Sequence, residues 1–186
     1  MNSVRFLRFS LIAAAMLSLL LVGCASAPKV LDSSFNGPQI VAAPDAIPLA
    51  VSSLMDMKMV IKGAGYKPQD TVLISLVDDK KLDLAITMAK VADDGTFSVD
   101  FWNSQSDSLA KVSGILRAGF GANKKGETII VMAADPLPTG NYKIKAESVI
   151  GSQVAETPVK IVDAPFSGSL KDALGKMLGK IEDKRK

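Results

Sequence analysis

The chain has 186 residues, with 22 lysines and arginines against 19 aspartates and glutamates, for a formal net charge of +3. It carries one cysteine and no histidine, so an intrachain disulfide is excluded, and the commonest general base near neutral pH and the commonest transition-metal ligand are missing. Both absences weigh against an enzyme, and an aromatic content of 5% is too low for the basic, aromatic-interleaved stripe of a nucleic-acid binder.

At the N-terminus Arg5 and Arg8 precede an apolar run of roughly 12 residues that closes on Leu21-Val22-Gly23-Cys24. A membrane-spanning helix needs about 20 continuous apolar residues, and this run is shorter. The stretch resembles the lipobox of bacterial lipoproteins. That resemblance implies a signal peptide over residues 1–23, cleavage between Gly23 and Cys24, and a Cys24 that carries a thioether-linked diacylglycerol and an N-acyl chain. It also implies a membrane-anchored envelope protein. An aspartate directly after the cysteine would mark inner-membrane retention in a Gram-negative host; Ala25 and Ser26 stand there instead, which implies the periplasmic face of the outer membrane or the cell surface. Loss of Arg5 and Arg8 with the signal lowers the net charge to roughly +1.

Residues 24–48 are rich in Ala, Ser, Pro and Gly and read as a flexible tether with a reach of tens of ångströms. A body over residues 49–163 then shows about seven strands. Ser53, Met55, Met57, Met59 and Ile61 alternate with Asp56, Lys58 and Lys62, the period of a half-buried strand. After the break at Gly63-Ala64-Gly65-Tyr66-Lys67-Pro68 comes an apolar strand, Thr71 to Val77, and a polar turn, Asp78-Asp79-Lys80-Lys81. Leu82, Leu84, Ile86 and Met88 alternate next. Asp93-Asp94-Gly95 makes a tight turn into Phe97, Val99 and Phe101. Later strands run from Thr128 to Ala133, Tyr142 to Val149 and Val154 to Val162.

Number and spacing fit an all-β sandwich. The stretches VIKGAGYKPQDTVLISL, ADDGTFSVDF and PTGNYKIKA resemble the turn-and-core signatures of bacterial immunoglobulin-like modules. The resemblance implies an immunoglobulin-like β-sandwich and carries no catalytic residues with it; such modules bind, space or present other domains. An insertion between Trp102 and Thr128 departs from that pattern. Within it Leu109, Val112, Leu116 and Phe120 recur at helical spacing behind Asp107, a candidate N-cap.

Residues 164–186 change period again. Phe166, Leu170, Leu174, Met177, Leu178 and Ile181 fall on one face of a basic amphipathic helix, with Ser169 and Asp172 in capping-box positions. Gly175 and Gly179 weaken it by about 1 kcal/mol each relative to alanine, so it needs a surface: its own sandwich, the membrane interface beside the anchor, or a partner.

Chemistry-bearing candidates are few. Met55, Met57 and Met59 form a thioether row that suits Cu(I) and equally suits a core. Ser108-Leu109-Ala110-Lys111 matches a bare Ser-x-x-Lys without the further motifs of penicillin-recognising enzymes. Asp78-Asp79 and Asp93-Asp94 lack the ligand spacing of a calcium loop and stand where hairpins turn. Trp102, Phe120 and Asn123 lie in the insertion and are candidates for a partner-binding edge. The expectation is therefore a lipid-anchored, non-catalytic binding or assembly module for an envelope protein or polysaccharide. The alternative is a copper or small-ligand carrier built on the methionine row.

Overall fold

A computed structural model describes residues 29–100 and 112–185; Gly23, Cys24, Trp102, Asp107 and the Ser108-to-Lys111 stretch lie outside them. The described residues form eleven strands in three sheets, a β-sandwich-like fold. One sheet has the order β1 (Gln39–Ala43), β3 (Val60–Ala64), β6 (Phe97–Asp100). The largest has the order β2 (Ala46–Pro48), β10 (Val154–Val162), β9 (Gly140–Ser148), β4 (Thr71–Val77), β5 (Asp83–Lys90). The third runs β11 (Ile181–Asp183), β8 (Thr128–Met132), β7 (Ala118–Ala122).

Alternation decides which faces meet. Strand β1 lies against β10 and β6 near β5, so the three-stranded sheet covers the five-stranded one. Buried Ile40, Ile61 and Phe97 from the first sheet share a core with Val72, Ile74 and Ile144 from the second. A bulge shifts the β4–β5 register between Ile74 and Ser75, which puts the strand out of phase beyond Ile86. Met88, expected inside with Leu84 and Ile86, therefore faces solvent while Ala89 is buried.

Six strands, β4, β5, β6, β8, β9 and β10, stand close to where the alternation places them; the other five correct the sequence reading. Residues 39–48 are not tether. Strand β1 pairs antiparallel with β3, β2 pairs parallel with β10, and Ile47 is fully buried. Both strands are short and interrupted by Pro44, so they lack a recognisable period and owe their structure to the edges they complete.

The strand expected over residues 53–61 is also corrected. Residues Val51–Asp56 form helix α1 and the strand starts only at Val60. Helix α1 has no cap of its own. Its first amides, Val51 N–H and Ser52 N–H, donate to the two carboxylate oxygens of Asp172 at 2.7 and 2.9 Å. Asp172 thus caps a distant helix rather than the one it belongs to, and Ser169 caps nothing, because helix α2 (Phe166–Met177) starts after Pro165. Asp172→Ala should lower stability by about 1 kcal/mol, measurable as a shift of the chemical-denaturation midpoint.

The C-terminal region is more than a helix. After Met177 the chain turns at Gly179, with φ at +66°, and Ile181 pairs parallel with β8 and enters the core. The inserted helix is described at residues 112–114; Val112 and Leu116 are buried, whereas Phe120 belongs to strand β7. This part of the insertion is thus the outer strand of a sheet.

Candidate binding surface

The strongest candidate is one end of the sandwich, where three loops are tied into a single unit. The Gly65-to-Asp70 loop begins with Gly65, at φ +79°, and places Tyr66 in the core. The Tyr66 ring meets Phe97 edge-on at 5.3 Å, and its hydroxyl donates to the Ala146 carbonyl at 3.1 Å. Burial pushes that phenol above its ordinary range. The Asp93-to-Thr96 turn joins through Tyr66 N–H to the Gly95 carbonyl (3.2 Å) and through Val91 N–H to the Asp70 carbonyl (2.9 Å). Asp94 accepts from the Thr96 amide and hydroxyl, so this acidic pair is turn chemistry. So is Asp78, which accepts from the Lys80 and Leu82 amides at 2.8 Å each.

The third loop is the β9–β10 hairpin tip, residues 149–153. Asp70 sits just beneath it at 2% exposure, shielded by the loop itself. Its carboxylate accepts from the Ser148 hydroxyl, the Ile150 amide (3.3 Å), the Gly151 amide (3.2 Å) and the Thr71 amide (2.6 Å). These donors, the Ser148 hydroxyl first, hold the carboxyl below its ordinary value. Gln153 clamps the other side, accepting from Lys67 N–H at 2.8 Å and donating to the Gly65 carbonyl at 2.7 Å. The outcome is a hairpin tip whose backbone is fastened while its two aliphatic side chains are not: Val149 is 60% and Ile150 75% exposed.

The residues singled out from sequence fare differently. Phe120 is partly exposed on β7, an edge strand whose other side bears no partner strand among the described residues. Asn123 is committed to its own turn. Its carbonyl oxygen accepts from Lys125 N–H and Glu127 N–H, and its amide donates to Glu127 Oε2 at 2.7 Å. The three methionines share no strand face, for Met55 is exposed at the end of α1 while Met57 and Met59 are core residues. Among the described residues no three or more His, Cys, Asp or Glu gather where they could hold a metal, and no helix is long and apolar enough to cross a membrane.

Val149 and Ile150 were missed because Val149 continues the strand period. The available signal was their position: an apolar pair, followed by Gly151 and Ser152, stands where a hairpin must turn and polar residues are usual.

No protein-family model and no curated protein matches the chain. Among solved structures, it is similar to a tetra-tandem repeat in the extending region of a large adhesion protein. The identity is 12%, the TM-score 0.35, and the match spans 71% of this chain and 25% of that one.

Proposed function

We propose that this protein is a lipid-anchored envelope lipoprotein whose immunoglobulin-like sandwich is a non-catalytic binding or assembly module, with the braced hairpin tip as its contact surface. The carrying observation is the Asp70 network. A buried carboxylate fastens the backbone that carries an exposed aliphatic pair, accepting from Ser148, Ile150 and Gly151 of that hairpin. Preorganisation of that kind lowers the ordering cost of binding. Aliphatic side chains without an aromatic platform favour a protein partner over a polysaccharide. The lipobox resemblance at Leu21 to Cys24 supports the anchor.

Two measurements test the two halves separately. The mature protein taken from its envelope should carry acyl chains on Cys24 by mass spectrometry, and Cys24→Ala should leave the membrane fraction; a bare thiol removes the anchor. A photoreactive amino acid replacing Ile150 should give a discrete covalent adduct in intact cells. The same group at exposed Met88 should give none, and equal labelling at both positions removes the contact surface.

A further inference from the structure

Helix α2 is amphipathic in the opposite sense to a packed helix. It meets the body through its small and polar residues. Gly168 lies so close to α1 that a Cβ there would stand 2.2 Å from Ser53 Oγ, Gly175 faces Ile181, and Asp172 caps α1. Its apolar arc turns outward instead, with Phe166 84% and Met177 83% exposed and Leu170, Leu174 and Leu178 also exposed between and beside them.

Charge and chain length say what covers that arc. Residues 164–186 hold six cations against three carboxylates. Lys176 and Arg185 share Asp183, Lys184 pairs with Glu182 and Lys171 with Asp56 of α1, so the region keeps a small positive excess beside the apolar arc. Lys29 is tied to the body, by an ion pair to Asp45 at 3.2 Å and a hydrogen bond to the Pro158 carbonyl at 3.2 Å. Only four residues lie between it and Cys24, a span of at most about 18 Å. Asp45 in turn is five residues from Ala50, which packs against Gly168 of α2. A leash that short brings the body down onto whatever surface the acyl chains enter.

Resting on the proposed lipid anchor, we propose that the exposed apolar face of α2 lies in the interface of an anionic phospholipid bilayer, as a second membrane contact beside Cys24. Basic amphipathic helices bind such interfaces by apolar burial together with attraction to anionic lipid. The contact would set the orientation of the domain on the membrane.

A chain starting at Ala25 tests this without acylation, since every strand and core residue described lies between Gln39 and Asp183. It should float with vesicles of phosphatidylethanolamine and phosphatidylglycerol, and bind phosphatidylcholine vesicles far less. The double variant Phe166→Ser/Met177→Ser should cut binding to the anionic vesicles about tenfold or more, and its melting temperature should stay put because neither side chain is buried. Equal binding by variant and parent overturns the proposal. So does a parent chain that is dimeric in solution, ignores vesicles and becomes monomeric in the double variant, which would assign the face to a second copy. Because Cys24 is absent from the assay, failure here is distinct from failure of the anchor, which the mass of Cys24 reports.

Discussion

Replacing Gly65 with alanine should destabilise the domain by on the order of 3 kcal/mol, the largest effect expected of a glycine-to-alanine change among the described residues. Two causes add. The residue sits at φ +79°, where an L side chain is strained, and its Cβ would stand 2.0 Å from the Gly37 carbonyl oxygen. That oxygen is backbone and cannot rotate away, so the segment leading into β1 must separate from the end of β3. Gly126 supplies the control, for its φ is likewise +79° but nothing lies within 4 Å of a Cβ there. Gly126→Ala should cost only the conformational strain, about 1 kcal/mol. Urea unfolding of both variants separates the terms, and equal losses would show that the close approach to Gly37 contributes nothing.

Asp70→Asn should lower the melting temperature at neutral pH, and the gap between variant and parent should close on acidification. The sign follows from the depressed carboxyl. A group whose folded-state value lies below its unfolded one stabilises the fold fully above the unfolded value. Here that is near pH 4, and the contribution disappears as pH falls through the lower, folded-state value. Other carboxyls that are also held low, Asp78 and Asp94 among them, give both proteins an acid sensitivity in common. Only the difference between the two belongs to Asp70. The asparagine amide would also oppose donors with a donor, so the Ile150 and Gly151 amides should exchange hydrogen faster and photo-labelling through residue 150 should weaken. A gap that stays constant from pH 7 to pH 2 would show that the Asp70 charge does not fasten the tip.

The legible elements are those with a strong local cause. Strand β10 spans Val154–Val162 as its alternation predicts, and the Asp93-Asp94-Gly95 turn forms with Gly95 at positive φ. The two glycines of the Gly-x-Gly-Tyr stretch have separate jobs: Gly63 gives room to the Phe97 ring and Gly65 to the Gly37 carbonyl. Illegible were the elements whose partner lies far along the chain. Strands β1, β2 and β11 exist because an edge awaits them, and residues 53–56 alternate like a strand yet form a helix whose amides are met by Asp172, some 120 residues away. The candidate residues divide in the same way. Phe120, expected at helical spacing in the insertion, stands on edge strand β7, and Val149 was hidden as the last residue of the expected strand Tyr142 to Val149.

The sequence by itself determined the all-β class, the period of the long strands, the positions of the tight turns and the amphipathic character of the C-terminal helix. Periodicity and glycine are local signals, and these features need no distant partner. Only the tertiary structure decided which way that helix faces. Its apolar arc and its small-residue face are both written in the chain. Close packing of Gly168 on α1, together with the two amides that Asp172 satisfies, turns the small face inward and leaves Phe166 and Met177 outside.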